Sequence, residues 1–460
     1  MRKSGMMIMA AVIAALMALT GCTSPVPGGE APAVAVTGVT LDVTTLSLGV
    51  GTTSLLTATV QPGDAGNKTI SWSSDGEGVA TVSADGLVTA VAEGTATVTV
   101  ATEEGGFTAT CGVTVVPPQQ AVYVYAANFG SGYLSGYRLN ETTGALTELN
   151  GSPFTCPSFS WPWSVLVHPT GKFLFAPSSD SDDVFVFSIE PSTGALSPIP
   201  GSPFPAGDRP WGCAVDPAGK FLYVTNYNSN NLTVYAVDQA TGALSEIAGS
   251  PFPLSQSPVN LTFDVSGAFL YVGHDSGRDV RAFSVDSSTG VPTEISGSPF
   301  TAGIRPYSLA VDPANAWLYV GNHAQNTVSV FSRDGSTGAL TPVSGSPFSF
   351  STKGLDGMGL HPSGNYLYAV SQTDDTVNRF TVNRSTGALS LSGSWNTYGH
   401  LPYAVGFDPD GDFLFTGNYS SHDITSFVVN QANGSLSLAA GSPYDAAYSP
   451  TKIVSIRVTY

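Results

Sequence analysis

The sequence has 460 residues, more than one ordinary domain needs, so two or three domains are expected. Hydrophobic residues make up 42% and charged residues only 11%, and the 51 glycines and 32 prolines are typical of all-β proteins built from short strands and tight turns. The formal charge is −18 and no run of lysine or arginine interrupts it, which excludes a nucleic-acid partner and a basic patch for anionic lipid.

The first residues have the pattern of a bacterial export signal. Arg2 and Lys3 precede an uncharged apolar run from about Met6 to Leu19, which is too short to span a bilayer comfortably. The run ends in Leu19-Thr20-Gly21-Cys22, which resembles the bacterial lipobox, where signal peptidase cuts before a cysteine that carries lipid. We therefore predict a signal peptide over 1–21 and lipidation of Cys22. The alternative is a plain secretory signal followed by a chance cysteine.

The segment that follows predicts a tether to a membrane. Residue 23 is Thr rather than Asp, and by resemblance to Gram-negative sorting signals this favours a lipid anchor in the cell envelope, at the outer membrane or the cell surface. Residues 22–33 are rich in Pro, Gly, Ser and Ala, which predicts a flexible tether. If Cys22 is acylated, Cys111, Cys156 and Cys213 remain. The last two either form a disulfide in the oxidising envelope or serve as small buried hydrophobic residues.

Residues 34–116 predict a small β-sandwich with Trp72 in its core. Seven short alternating strands are expected, over 39–43, 53–60, 69–72, 80–83, 88–90, 96–102 and 109–115. The domain resembles the bacterial immunoglobulin-like group 2 family at Trp72-Ser73-Ser74, Val79-Ala80-Thr81-Val82, Gly86-Leu87-Val88-Thr89-Ala90, Gly94-Thr95-Ala96-Thr97-Val98 and Cys111-Gly112-Val113-Thr114-Val115. Members of that family serve mostly as stalks or adhesive modules on envelope proteins, and the resemblance implies no more than that.

A stiff linker at 117–120, Pro-Pro-Gln-Gln, precedes a region of internal repeats. The segment Gly-Ser-Pro-Phe, or a variant of it, begins at seven glycines that are first 50 and then 48 residues apart: Gly151, Gly201, Gly249, Gly297, Gly345, Gly393 and Gly441. Most units also carry a Thr-Gly-Ala-Leu turn and an Asp-Pro-x-Gly turn, as at Asp216, before an aromatic strand. Each unit therefore predicts four antiparallel strands.

Seven such units predict a seven-bladed β-propeller over 121–460. The region begins at 121–124 with a second strand and ends at 452–458 with a lone first strand, so one blade is shared between both ends and the ring closes without an open edge. The expected fold class is all-β, a seven-bladed β-propeller with an N-terminal immunoglobulin-like β-sandwich.

The repeat Phe221-Leu222-Tyr223-Val224-Thr225-Asn226, with its turns, resembles the lactonase family of seven-bladed propellers, whose repeats are named after Tyr-Val-Thr-Asn. The resemblance implies the fold and points to enzymes such as 6-phosphogluconolactonase, whose working His, Arg and acidic residues lie in the central funnel. Family members commonly carry a His-bearing Pro segment where this chain has Trp161-Pro162-Trp163, which weakens the expectation of lactone hydrolysis.

The segments that enter each blade differ from one another, and they predict the functional mouth of the propeller. Four cations are expected there from four blades, with aromatic residues beside them: Arg209, Arg305, Lys353 and His400, with Trp163, Trp211, Tyr307 and Tyr403. Such a ring suits a carboxylate, phosphate or sugar ligand, and His400 is the candidate general base. Alternatively, the cations pair with Asp208 and Asp356 and the aromatic residues pack blade against blade.

Other polar residues are expected to have lesser roles. His168 and His361 replace Asp in the tight turns and are predicted to be turn residues. The loops after the second strands add Asn226, His274, Asn322, His323 and Asn418 to the mouth. No nucleophile motif is present. His274 and His323 occupy corresponding loops, but no carboxylate or thiol accompanies them at a recognisable spacing, so neither a metal nor a cofactor is expected.

Two functions from different classes remain. The first is an envelope lipoprotein, anchored through Cys22, whose propeller binds a small anionic or carbohydrate ligand, or an envelope protein, at the variable mouth. The alternative is a lactonase-family enzyme that hydrolyses a sugar lactone. The residues leave open whether there is catalysis; if there is, the enzyme is expected to be a lactone hydrolase.

Overall fold

The computed structural model describes residues 33–155, 158–349 and 354–460, and their secondary structure is β throughout. Cys22, Cys156 and Lys353, and with them the predicted signal peptide, lipid anchor and tether up to residue 32, lie outside the described residues. The chain divides into two compact units, Met1–Pro118 and Gln119–Tyr460. Within the described ranges no helix has the length and apolar character that a membrane crossing requires.

The N-terminal unit is a β-sandwich with nine strands. They are Gly38–Leu41 (β1), Thr45–Gly49 (β2), Thr53–Leu55 (β3), Ala58–Gln61 (β4), Ile70–Ser74 (β5), Ala80–Val82 (β6), Leu87–Ala90 (β7), Gly94–Thr102 (β8) and Thr108–Val116 (β9). The main sheet has the order β2-β9-β8-β5, a second sheet has the order β3-β7-β6, and β1 pairs with β4. The core between them contains Val88, Val98, Cys111 and Val113, and Trp72 packs against it, as the sequence predicts.

Two differences from the predicted sandwich have a local cause. The single strand expected over 53–60 is two strands, because the Leu56 backbone N–H donates to Gly86 O and the chain then leaves β7 to pair with β1. The sequence pattern also missed β2, in which Leu48 is buried and the strand runs parallel to β9.

The C-terminal unit is a seven-bladed propeller, in agreement with the predicted fold class. Blade 1 contains Gln120–Phe129 (β10), Tyr133–Leu139 (β11) and Leu146–Glu148 (β12). Blade 2 contains Leu166–Val167 (β13), Phe173–Ser178 (β14), Asp183–Ile189 (β15), Leu196–Pro198 (β16) and Phe204–Pro205 (β17). Blade 3 contains Pro210–Val215 (β18), Phe221–Asn226 (β19), Asn231–Val237 (β20), Leu244–Glu246 (β21) and Phe252–Pro253 (β22). Blade 4 contains Pro258–Phe263 (β23), Phe269–His274 (β24), Asp279–Val285 (β25), Pro292–Glu294 (β26) and Phe300–Thr301 (β27).

The remaining blades repeat the pattern. Blade 5 contains Pro306–Val311 (β28), Trp317–Asn322 (β29), Thr327–Arg333 (β30), Leu340–Pro342 (β31) and Phe348–Ser349 (β32). Blade 6 contains Leu355–Leu360 (β33), Tyr366–Ser371 (β34), Thr376–Val382 (β35) and Leu389–Asn396 (β36). Blade 7 contains Pro402–Phe407 (β37), Phe413–Asn418 (β38), Asp423–Val429 (β39), Leu436–Leu438 (β40) and Tyr444–Asp445 (β41). The last strand, Ser449–Thr459 (β42), completes blade 1.

The closing strand β42 is the first strand of blade 1, whose order is β42-β10-β11-β12. It pairs antiparallel with all of β10, from Gln120 opposite Thr459 to Phe129 opposite Ser449, with one register shift. The two ends of the propeller therefore share one sheet, and the first strand of every blade has a hydrogen-bonded neighbour.

The repeated residues of the sequence are the contacts that join one blade to the next. The glycine of each Thr-Gly turn packs on the aromatic residue that begins the second strand of the preceding blade. Gly338 of blade 5, with a φ of +73°, lies in this way against Phe269 of blade 4, and the Tyr271 hydroxyl of blade 4 donates to Gly338 O at 2.9 Å. A side chain at this glycine would clash with the ring, so the pairing of glycine and aromatic residue recurs at 48-residue intervals.

The tight turns between first and second strands also connect neighbouring blades. His168 Nδ1 accepts the Thr170 backbone N–H, so its Nε2–H donates to Gly219 O of the next blade at 2.9 Å. His361 makes the equivalent contact with Gly411 O, also at 2.9 Å. Both histidines are thus turn residues that are buried and fully bonded, and they belong to the structural contacts of the ring.

Candidate functional site

A cavity on the propeller axis is lined by all seven blades, and its empty space, including the part open to solvent, is about 720 Å³. The first strand of each blade, or the segment directly before it, contributes side chains to the cavity: Trp163, Trp211, Asn260, Tyr307, Asp356, Tyr403 and Lys452, together with smaller residues that include Ser164, Cys213 and Met358. We call the end at which the first strands begin the mouth. All four aromatic residues predicted for the ligand site line this cavity.

The chain enters several first strands through a residue in the left-handed region of the backbone map. Arg209 has a φ of +59°, Arg305 of +57° and Leu401 of +56°, and each stands directly before the proline that begins a strand. The preceding blade stabilises this conformation: Asp182 Oδ1 accepts the Arg209 N–H at 2.8 Å, and Asp375 Oδ1 accepts the Leu401 N–H at 2.8 Å. Backbone held in this sparsely populated region is frequent at ligand sites.

One wall of the cavity is a stack of aromatic rings. Trp163 and Trp211 stack with their centroids 4.2 Å apart and an angle of 14° between the rings, and Tyr227 stacks on Trp211 at 5.1 Å. The centroids of the Phe129 and Trp163 rings lie 4.1 Å apart. The Trp163 Nε1–H is buried and has no hydrogen-bond partner among the described residues. Flat rings with an unpaired donor are suited to the face of a sugar ring and one of its oxygens.

The opposite wall carries a buried carboxylate. Asp356 is only 1% exposed, and the Gln372 Nε2 donates to its Oδ2. His323 Nδ1 lies 3.3 Å from Asp356 Oδ1, but within the described chain neither of these two atoms has a well-aligned hydrogen bond. Burial raises the pKa of Asp356, and contact with Asp356 raises the pKa of His323. The pair therefore holds a carboxylate with spare acceptor capacity at the edge of the cavity.

The two predicted arginines have different environments. Arg305 is paired with Asp275 of the preceding blade, with Nη2 at 2.6 Å and Nε at 2.7 Å from Oδ1, and the Tyr227 hydroxyl donates to Asp275 Oδ2 at 2.9 Å. The Arg209 guanidinium lies over the rings of Trp211 and Tyr227, at 5.3 and 5.0 Å from their centroids. Of the two acidic partners considered from the sequence, Asp208 accepts a hydrogen bond from the Asn228 side chain, and Asp356 contacts Gln372 and His323.

The candidate base His400 is placed at the rim, outside the set of residues that line the cavity. Its side chain is 78% exposed and its Nδ1 lies 2.8 Å from Asp375 Oδ2, a contact that raises the pKa of His400. The structure thus brings the four aromatic residues together but does not gather the described cations around one point. Lys353 lies outside the described residues.

Lys452, in the closing strand, also lines the cavity, and it was not predicted from the sequence. Its side chain is open to the water space of the cavity, yet protein surrounds it closely enough that desolvation lowers the pKa of its ammonium group. Its electrostatic neighbour is the Cys213 thiol, a free cysteine whose pKa burial raises to about 12. Cys213 is therefore protonated at neutral pH and is unsuited to act as a nucleophile.

A ring of residues at one position of the repeat, at or directly after the end of the second strand, also lies near the mouth. In chain order it consists of Phe129, Ser179, Tyr227, Asp275, His323, Gln372 and Tyr419, of which His323 alone was predicted from the sequence. The polar residues one position earlier are structural. The Asn226 amide donates to Asn231 and Thr233 of its own hairpin, and Asn322 and Asn418 do the same in theirs. The repeat register was the signal available in the sequence, because it places these variable residues at equivalent positions of successive blades.

The histidines considered for a metal are not part of a ligand cluster. His274 is buried with Nδ1 3.5 Å from Asp279, and His323 faces Asp356. Within the described ranges one group of three acids could hold a cation, Asp408, Asp410 and Asp412 in a tight turn, and there Asp410 is already bonded to Arg457 at 2.6 Å.

Seven blades, each with four consecutive antiparallel strands and five of them with a short fifth strand in the described ranges, surround a cavity lined by aromatic and ionisable side chains. This arrangement defines a β-propeller with a central site of the kind that binds small molecules. The chain belongs to the family of lactonase seven-bladed β-propellers, whose model matches residues 80–207, 206–302 and 349–449. The first of these matches begins inside the sandwich. A model of the bacterial Ig-like domain (group 2) matches residues 35–113, so both resemblances noted in the sequence are confirmed.

Solved structures share the propeller fold. A putative 6-phosphogluconolactonase from Bacteroides uniformis is 20% identical, with 74% of this chain and all of that chain covered and a TM-score of 0.64. A periplasmic gluconolactonase from Pseudomonas aeruginosa is 18% identical, with 74% and 99% covered and a TM-score of 0.62. At these identities the likeness shows the fold alone.

Curated relatives match over short stretches. An alpha-L-arabinofuranosidase from Bifidobacterium longum is 58% identical over 62 residues, which is 14% of this chain and 6% of that protein. An Ig-like virion protein from Serratia phage KSP90 is 45% identical over 86 residues, which is 18% of this chain and 33% of that protein. The chain therefore spans no more than a third of the length of either relative.

Proposed function

We propose that the propeller binds a sugar-derived lactone in its axial cavity and hydrolyses it. The observation that carries this proposal is the buried Asp356 carboxylate, whose Oδ1 has no well-aligned hydrogen bond among the described residues and lies at the edge of a cavity whose other wall is the Trp163–Trp211 stack. The stacked rings are suited to the apolar face of a sugar ring, and a carboxylate whose pKa is raised by burial is suited to accept and return a proton. Lactonase family membership and gluconolactonase-type structural relatives support this reaction class.

The reaction needs one water and one acid–base group. Asp356 accepts a proton from a water molecule as that water attacks the lactone carbonyl carbon. The ring C–O bond then breaks, and the protonated Asp356 returns the proton to the departing ring oxygen. The sum is lactone plus water to hydroxy acid. Gln372 and His323 hold the carboxylate in place and act as positioning residues.

The test is turnover of δ- and γ-lactones of aldonic acids, with and without a 6-phosphate, by the full chain. Asp356→Asn is expected to lower kcat by roughly 10²–10⁴-fold, because it removes the base without changing the size of the side chain. In the wild type, turnover is expected to fall as pH drops through the raised pKa of Asp356, above its ordinary 3.8. Glu148→Gln also replaces a carboxylate by the amide of the same size, at an exposed position on β12, and is the matched control.

Binding without catalysis is the second candidate, and it is supported by the same cavity and by the Trp161-Pro162-Trp163 segment, which departs from the family pattern. An unchanged rate in Asp356→Asn would overturn the mechanism. If no lactone is turned over but sugar acids raise the melting temperature, the protein is a binding module for such ligands or for an envelope partner at the same mouth.

We also propose that the chain is an envelope lipoprotein anchored through Cys22 at the outer membrane or cell surface. The support is the sequence of the first 22 residues, and the compact sandwich that follows is of the type used as a stalk. Cys22→Ser is expected to move the protein from the membrane fraction to the soluble fraction after cell lysis. Equal membrane partition of variant and wild type would contradict lipidation at this residue.

A further inference from the structure

The axial cavity contains an amine whose charge is not matched by a carboxylate in the described part of the chain. Lys452 lines the cavity together with Ser164, Cys213 and Met358, which carry no charge. Asp356 lines the same cavity, but its contacts are Gln372 and His323. Lys452 is exposed to the cavity, and an ammonium group that has no carboxylate partner among the described residues attracts an anion that enters the same space.

We propose that Lys452 binds the carboxylate of a sugar acid, so that the cavity selects ligands with an anionic carbon terminus over neutral sugars. The inference rests on the proposed function, because the carboxylate is the group that lactone hydrolysis creates. Lys452 and Asp356 then have separate tasks: the base acts on water, and the ammonium holds the carbonyl oxygen of the lactone and afterwards the carboxylate of the product. A lysine acts here as a compact point charge with several donors.

The assignment applies to the closed propeller, because Lys452 lies on the strand that closes the ring. Lys452 belongs to β42 and pairs with Ala127 of β10, so its position depends on the strand that completes blade 1. The neighbouring Thr451 hydroxyl lies 3.3 Å from both Ala127 O and Pro162 O, which fixes the backbone between blades 1 and 2. Lys452 is thus held by well-bonded backbone and lines the cavity, whereas Arg209 and His400 are not among the residues that line it.

The test compares two probes of similar size by calorimetry on the full chain. D-Gluconate carries the carboxylate, and sorbitol is the neutral polyol with the same number of carbons. The wild type is expected to bind gluconate roughly 10- to 100-fold more tightly than sorbitol, the range expected for a charge-assisted hydrogen bond. Lys452→Met is expected to abolish that preference while sorbitol affinity changes less than twofold, and Lys452→Arg is expected to retain part of it.

The pH dependence gives a second readout. Gluconate affinity of the wild type is expected to fall as pH rises through the pKa of Lys452, which lies below the ordinary 10.5. The other titratable groups facing the cavity are Cys213, Tyr307, Tyr403 and Asp356. Burial raises the pKa values of the thiol and of both phenols, so they keep their protons while Lys452 loses its own; burial also raises the pKa of Asp356 from its ordinary 3.8.

The outcomes of this binding test differ from those of the lactone-turnover test, so the two proposals can fail separately. A gluconate preference that survives in Lys452→Met overturns the assignment even if turnover is normal. Inorganic phosphate that competes with gluconate at equal concentration also overturns it, because the site then takes any small anion. Loss of preference in Lys452→Met without any turnover by the wild type supports the assignment and contradicts hydrolysis. If Lys452→Met does not fold, Lys452→Gln serves the same comparison.

Discussion

The contacts of an arginine at the mouth depend on which residue the preceding blade places beside it. Arg209 and Arg305 have the same local sequence, an arginine before Pro and an aromatic residue, and the same left-handed backbone. The residue after the second strand of the preceding blade is Asp275 for Arg305 and Ser179 for Arg209. Arg305 therefore forms an ion pair, whereas Ser179 Oγ donates to Pro210 O and leaves the Arg209 guanidinium over aromatic rings.

Double-mutant cycles measure this difference. The cycle of Arg305→Gln with Asp275→Asn is expected to give a coupling energy of about 0.5–1 kcal/mol, a modest value because Arg305 is 41% exposed and water screens the pair. The cycle of Arg209→Gln with Asp208→Asn is expected to give no coupling within error. Urea unfolding of the four single and two double variants provides the values, and coupling between Arg209 and Asp208 would show that the first arginine also has an acidic partner.

At the scale of the element, the repeat is a set of contacts between adjacent blades. The glycine of each Thr-Gly turn contacts an aromatic residue near the start of the second strand of the preceding blade, as Gly338 contacts Phe269. Among the described residues, four of the tyrosines two positions further on also donate to the carbonyl of that glycine, as Tyr271 does to Gly338. Because these contacts recur at a fixed spacing, the strands of the propeller were predictable from the sequence. The strands of the sandwich were less predictable. The sandwich occurs once in the sequence, so β2 and the break at Leu56 have no second copy with which to compare them.

The Thr-Gly turn of blade 5 offers a matched pair of glycines for a stability test. Gly338 has a φ of +73° and an added Cβ would lie 2.2 Å from the Phe269 ring, whereas a Cβ on Gly335 in the same turn would meet nothing within 4 Å. Gly338→Ala is expected to lower the free energy of unfolding by roughly 1–3 kcal/mol, and Gly335→Ala to change it by less than about 0.5 kcal/mol. Equal effects in thermal melts would mean that the glycine–aromatic contact is unimportant.

The candidate site was only partly predictable for the same reason. Trp163, Trp211, Tyr307 and Tyr403 follow the segments that enter each blade, so the repeat register placed them at the mouth. His323, which contacts Asp356, and Asp275, which pairs with Arg305, come in contrast from the preceding blades, and the spacing within one sequence does not say which blade supplies them. Lys452 was missed because it belongs to a strand that stands apart from its blade in the sequence.

At the scale of the whole propeller, charged groups connect the tight turns around the ring. Arg333, which is 1% exposed at its side chain, lies 3.3 Å from the buried Asp264, and Asn315 of the next turn donates to the same carboxylate at 3.0 Å. Arg384 pairs with Asp312, and Arg457 pairs with Asp410. These contacts join consecutive blades, so they stabilise the ring as one cooperative body.

Acid is expected to weaken this ring of turns. Burial alone would raise the pKa of Asp264, but its hydrogen bonds with Ser266, Asn315 and Phe269, together with the charge of Arg333, lower it below 3.8. A carboxylate with a lowered folded-state pKa contributes stability that is present above its unfolded pKa and is lost as pH falls through the folded one. In urea unfolding between pH 5 and pH 2, Asp264→Asn is therefore expected to be less stable than the wild type at pH 5 but to lose less stability on acidification. Parallel pH profiles would assign no such role to Asp264.

The pairing of β42 with β10 also has a consequence for the order of events during synthesis. Gln120 and Thr459 are 339 residues apart, and at roughly 5–20 residues per second the ribosome needs on the order of half a minute to make the chain between them. The sandwich can fold as soon as it emerges, whereas β10 keeps an unpaired edge throughout that interval. Until its own last strand reaches it, that edge of β10 is open to pairing with another chain.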